Sequence, residues 1–120
     1  PKSIAQLFST CDFAIMSGGM TVYEIATIGL PMALIAISDN QIQHSYDWSQ
    51  KSKKIKFLGS LKNINVKELI DFYSESLSEN VSTHSRDKQL LVDGLGRYRV
   101  AKEIINIQKK YENNIPNKSI

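Results

Sequence analysis

Gly18 and Gly19, followed by Thr21 and Glu24, are the first residues in the sequence whose types and spacing suit chemistry. They lie in SGGMTVYEIATIGLP, residues 17–31, between the apolar run Phe13-Ala14-Ile15-Met16 and an amphipathic segment ending in Gly29-Leu30-Pro31. Glycine reaches positive φ without steric cost and lets another molecule approach the backbone closely. A helix N-terminus offers unpaired N–H groups and a partial positive charge, so strand–Gly-Gly–helix is a cradle for an anion, above all a phosphate. Such a loop sits at the carboxyl end of its strand, where open α/β sheets bind ligands. The competing account is a plain tight turn, since glycine is ordinary punctuation between elements.

Glu24 also has two accounts. It stands three residues after Thr21, which is the spacing of a capping box. A carboxylate one turn inside a phosphate-binding helix can instead accept hydrogen bonds from both hydroxyls of a ribose. After the second apolar run comes Ser38-Asp39-Asn40-Gln41. Asp39 can serve as N-cap of the next helix. Asn40 and Gln41 are not needed for that, and amides offer the paired donors and acceptors that suit a polyhydroxylated sugar. Asp93-Gly94-Leu95-Gly96 with Arg99 reads as a turn and cap, the arginine pairing with a nearby acid to dock the last helix. His44 and His84 have no partners at metal-ligand spacing, so no metal is assigned. Ser17 lacks the G-x-S-x-G surroundings of a hydrolase nucleophile, and no residue of the chain is assigned a catalytic role.

The elements that position these groups follow from hydrophobic periodicity. Ile4, Leu7 and Phe8 have helical spacing. Phe13–Met16 and Met32–Ile37 are continuous apolar runs, as in parallel strands covered on both faces. Residues 21–29 form a helix with Val22, Ile25, Ala26 and Leu30 inward, stopped by Gly29 and Pro31. A helix is expected from about Asn40 to Ser52, a third strand over 55–59, and a helix carrying Val66, Leu69, Ile70, Tyr73 and Leu77. A polar helix over roughly 82–91 precedes a last helix near Leu95–Tyr111, with Val100, Ile104, Ile107 and Tyr111 on one face. Alternating helices and strands predict an α/β fold, a Rossmann-like parallel sheet with helices on both faces and right-handed crossovers. Three strands are few for this fold, and the chain opens in mid-helix, so a truncated domain over 1–112 with a flexible tail over 113–120 is expected.

A chain of 120 residues supports one core. The net charge of +3 comes largely from Lys51, Lys53, Lys54 and Lys56, without interleaved aromatics, which argues against a nucleic-acid surface. The one cysteine, Cys11, excludes an internal disulfide and is expected to be a buried, inert thiol in a reducing compartment. No signal pattern is present and the run Leu30–Ile37 is too short to span a bilayer, so a cytoplasmic protein is expected.

Taken together, CDFAIMSGGMTVYEIATIGLPMALIAISDNQ resembles the nucleotide-sugar site of GT-B-fold enzymes, in particular the UDP-sugar hydrolases of pseudaminic acid biosynthesis and their spore-coat polysaccharide relatives. Their pattern falls on Asp12, Gly18, Gly19, Thr21, Glu24, Gly29, Leu30, Pro31, Asn40 and Gln41, and VDGLGRYRVA is similar to their Asp-Gly-x-Gly-x-x-Arg-Val signature. The N-acetylglucosaminyltransferase family that forms lipid II shares the first motif; the second favours the hydrolase. The resemblance implies the C-terminal half of a GT-B fold. Gly18, Gly19, Met20 and Thr21 would hold the UDP diphosphate, Glu24 the ribose, and Asn40 with Gln41 the sugar, with no metal or other cofactor. The family's catalytic histidine belongs to an N-terminal domain not found in this sequence. The Lys-Ser-Lys-Lys run stands where relatives tend to have a shorter, glycine-containing turn. The implied partners are a UDP-sugar, that missing domain, and a second copy of the chain at an open sheet edge. The rival from another class is a non-catalytic α/β interaction module.

Overall fold

The computed structural model describes residues 3–82 and 92–116. It is an α/β fold with a three-stranded parallel sheet. In chain order come α1 (Ile4–Ser9), β1 (Ala14–Ser17), α2 (Thr21–Ile28), β2 (Met32–Ala36), a 3₁₀ turn (Asp39–Gln41), α3 (Ile42–Lys51), β3 (Ile55–Ser60), a second 3₁₀ turn (Leu61–Asn63), α4 (Val66–Ser82) and α5 (Gly96–Asn114). The spatial order β1-β2-β3 follows the chain, with Ala14 opposite Met32 and Met32 opposite Ile55.

The middle strand explains the layering. Every residue of β2 is apolar, and alternate side chains enter opposite layers. Met32 and Leu34 join Val22, Ile25, Ala26 and Leu30 from α2 and its end, Trp48 from α3, and Ile55. Ala33 faces the other way, into a smaller cluster with Leu58 and Phe72, against which Phe13, Ile35 and Leu69 pack. The Phe13 ring meets Phe72 and Tyr73 edge-on, at centroid distances of 5.6 and 5.2 Å. Full burial of a side chain such as Ile25 or Leu34 contributes roughly 1.5–3 kcal/mol. Gly29 closes α2 in the left-handed region, φ 74°, where its amide donates to the Ile25 and Ala26 carbonyls.

Several details differ from the sequence reading. The helix expected from Asn40 is split, because Asp39–Gln41 forms a 3₁₀ turn before α3 begins at Ile42. Asp39 is not its cap: Ser38 precedes the turn in extended conformation, and no side chain caps it. Cys11 is half-buried rather than buried, and its thiol donates to the Leu7 carbonyl at 3.4 Å. The expected polar helix falls largely on 83–91, outside the described residues, as does His84; α4 itself continues to Ser82.

Two surfaces lack a covering layer. Among the described residues β1 pairs on one side only, and a groove of about 620 Å³ runs beside it, lined by Cys11, Phe13, Ile15, Leu69, Ile70 and Tyr73 among others. Helix α5 buries none of its residues. The radius of gyration is accordingly 20.0 Å, against about 14 Å for a compact chain of this length.

Candidate functional site

The strand β1 delivers the chain to Ser17, and Gly18 and Gly19 turn it into α2. Neither glycine has a positive φ. What position 18 requires is space: Gly18 is buried, and a Cβ there would lie 1.8 Å from Ser45 Oγ and 3.4 Å from the Gln41 carbonyl oxygen. Glycine is used at 18 for close approach of backbone to α3, not for left-handed conformation. A Cβ at Gly19 would meet nothing closer than 3.9 Å, the nearest atoms being Gln41 Nε2 and Ser17 Oγ.

The loop leaves its amides free. Val22 N–H donates to the Gly19 carbonyl and Tyr23 N–H to the Met20 carbonyl, but among the described residues the N–H groups of Gly19, Met20 and Thr21 have no acceptor. No side chain caps α2, since Met20 occupies the cap position in helical conformation. The capping box from Thr21 to Glu24 is therefore not formed, because Thr21 is already inside the helix. Glu24 stands exposed in the first turn, and its carboxylate has no partner among the described residues. Three unpaired amides at the positive end of a helix are the elements of an anion site.

The loop after β2 adds a polar wall at the same edge of the sheet. Gln41 Oε1 accepts from the Ile37 N–H at 3.1 Å, which fixes the side chain and leaves its amide nitrogen on the Gly19 side. Asn40 Oδ1 accepts from the Ser38 hydroxyl at 2.5 Å, and Asn40 is exposed. The structure thus brings Gly18, Gly19 and Gln41 together.

Other sequence candidates lie elsewhere. Asp93 makes a two-pronged ion pair with Arg99, through Nη1 at 3.1 Å and through Nη2, and also accepts from the Leu95 N–H at 3.0 Å. The Arg99 hydrogen bonds, then the Leu95 amide, lower the Asp93 pKa from 3.8 to about 2. This turn sits beside Thr27, near the far end of α2, as the 3.8 Å approach of its Cγ2 to a Cβ at Gly94 indicates. Asp12 lines the groove at the opposite end of β1 from the glycines. In the lysine cluster, Lys51 lies over the Trp48 ring and Lys56 pairs with Glu68 at 2.8 Å. His44 Nε2 accepts from Trp48 Nε1–H at 3.1 Å, which places the imidazole proton on Nδ1. Among the described residues no three His, Cys, Asp or Glu side chains converge as metal ligands, and no helix is long and apolar enough to cross a membrane.

Sequence reasoning passed over Ser45. It is fully buried, and its hydroxyl has no partner among the described residues. Its signal was its spacing: Ser45 stands four residues after Gln41, one helical turn along the same face. Comparison with protein-family models, curated proteins and solved structures returns no match.

Proposed function

We propose that this chain is the UDP-sugar-binding part of a nucleotide-sugar hydrolase of GT-B type, acting on a UDP-diacetamido-trideoxy-hexose in surface polysaccharide or nonulosonic acid biosynthesis. The observation that carries this is the Gly18–Thr21 junction, where three consecutive amides lack acceptors at the N-terminus of α2. The diphosphate would sit on those amides, the positive end of the helix supplying the field that a metal supplies elsewhere. Glu24, free of any capping duty, would take the two ribose hydroxyls, and Gln41 and Asn40 the sugar. The supporting pattern is the joint presence of the glycine loop, Glu24 and Asn40-Gln41 at the carboxyl edge of a parallel sheet, with Gly-Leu-Pro ending α2 at the opposite edge.

A GT-B glycosyltransferase is the second reading. It shares the same loop, and the Asp93–Arg99 turn that favours the hydrolase in sequence stands beside Thr27, near the far end of α2.

Calorimetric titration with UDP, UMP and uridine tests the site. UDP should bind at least tenfold more tightly than UMP. Gly19→Asp, whose Cβ would meet nothing closer than 3.9 Å, should abolish the difference by placing a carboxylate against the phosphates. Equal affinity for UDP and uridine would remove the diphosphate assignment.

A further inference from the structure

The hydrogen bond that Gln41 makes fixes which of its two amide atoms a ligand can meet. The Ile37 N–H can only donate, so the Gln41 atom 3.1 Å from it is the acceptor Oε1. The other atom is then Nε2, a donor, 3.9 Å from where a Cβ at Gly19 would stand. This nitrogen has no acceptor among the described residues. Asn40 is not restricted in the same way, because the Ser38 hydroxyl that meets it can pair with either amide atom. Ser45, one turn along α3 from Gln41, is a second polar group without a described partner. It is fully buried and sets its hydroxyl against Gly18, at the start of the same loop. The side of α3 that meets the glycine loop therefore carries two polar atoms left unpaired by the fold. Beside them stand the unpaired N–H groups of Gly19, Met20 and Thr21.

We propose that Gln41 holds the diphosphate, at the phosphate that bears the sugar, its Nε2 joining the three loop amides as a fourth donor. Asn40, its neighbour in the chain, is then the amide that meets the sugar hydroxyls. The assignment rests on the diphosphate reading of the Gly18–Thr21 junction and adds a side chain to it. Sugar hydroxyls both donate and accept, but Gln41 has already given its acceptor to Ile37, and phosphate oxygens only accept. Donors gathered without acceptors match an anion, whose hydrogen bonds are the charge-assisted, stronger kind. The Ile37 amide also holds the side chain before any ligand arrives, so little ordering is left to be done on binding.

Gln41→Glu keeps an acceptor for the Ile37 N–H and puts a carboxylate oxygen in place of the donor, so the melting temperature should barely move. Calorimetric titration of the 120-residue chain should show UDP and UDP-N-acetylglucosamine weakened by one common factor, at least about tenfold. Acidifying to about pH 4, near the ordinary glutamate pKa, lets the new carboxyl donate again. The variant's UDP affinity should then return towards that of the wild type at the same pH. Gln41→Met, uncharged and without a donor, should weaken both ligands equally but less, with no recovery in acid. If Gln41→Glu weakens UDP-N-acetylglucosamine alone, Gln41 contacts the sugar; the inference falls and the diphosphate site stands. If neither ligand responds to either substitution, Gln41 lies outside the site. A wild-type chain that binds neither ligand would overturn the diphosphate reading itself, and this assignment with it.

Discussion

Gly18 and Ser45 occupy adjoining space so closely that a single methyl group at 18 would fall 1.8 Å from the serine hydroxyl. The contact fixes where β1 ends against α3. It sets the depth of the glycine loop relative to Gln41, whose carbonyl is the next nearest atom.

Gly18→Ala should therefore destabilise the fold, by about 1–3 kcal/mol for overpacking. Ser45→Ala acts in the opposite direction. It removes a buried hydroxyl that has no partner among the described residues, a defect that costs about 1–3 kcal/mol, and should raise the melting temperature. Combined, the two should be non-additive, the second substitution recovering part of the first. Thermal denaturation of the four proteins checks this. Additive effects would show that the loop adjusts independently of α3.

Glu24→Gln separates ligand binding from folding. With no capping box to lose, its melting temperature should barely move. As ribose ligand, the carboxylate accepts charge-assisted hydrogen bonds of roughly 1.5–3 kcal/mol. UDP affinity should then fall at least about tenfold. Binding of 2′,3′-dideoxy-UDP should be poor from the outset and little changed by the substitution. A mutant that binds UDP like the wild type would remove Glu24 from the site.

The Asp93–Arg99 pair predicts an acid-sensitive turn. Its folded pKa of about 2 lies below the ordinary 3.8, so the pair's stabilisation is present above pH 3.8 and lost as pH falls towards 2. Arg99→Ala should return the Asp93 carboxyl towards 3.8, as followed by its carbon chemical shift. It should also loosen the start of α5 in hydrogen exchange. An unchanged titration would mean that the ion pair does not persist in solution.

The purified chain should not hydrolyse UDP-sugars. Hydrolysis needs a base within hydrogen-bond reach of the attacking water. The one described histidine, His44, has its Nε2 lone pair engaged by Trp48. UDP release above a heat-killed control would contradict this and place a catalytic group within the chain.

The architecture was legible because its signals were continuous. Met32–Ala36 reads as a doubly covered strand from its run of apolar residues, and Gly29-Leu30-Pro31 stops α2 where the sequence says it should. Caps were less legible, since T-x-x-E and Asp39 each fit a capping pattern while the backbone placed Met20 and Ser38 at the positions that matter. Gly18 was read for positive φ and for close approach of a ligand; its φ is not positive, and the constraint the structure adds is a side chain 27 positions later. Sequence periodicity reports which face of an element is apolar, not which atom of another element it meets. Likewise Val100–Tyr111 announces an apolar face on α5, and only the fold shows that α5 buries none of its residues.

The strand order β1-β2-β3 repeats the order of the chain. β2 therefore finds β1 already made when it emerges from the ribosome, and β3 finds β2, so among the described strands neither waits for a distant segment. Short-range pairing of this kind favours rapid folding and growth of the sheet during synthesis. Nascent chains stopped beyond Asn63 should already resist protease across β1 to β3. Among the described residues β1 pairs on one side only, and an unpaired strand side of this kind is where neighbouring nascent chains would meet.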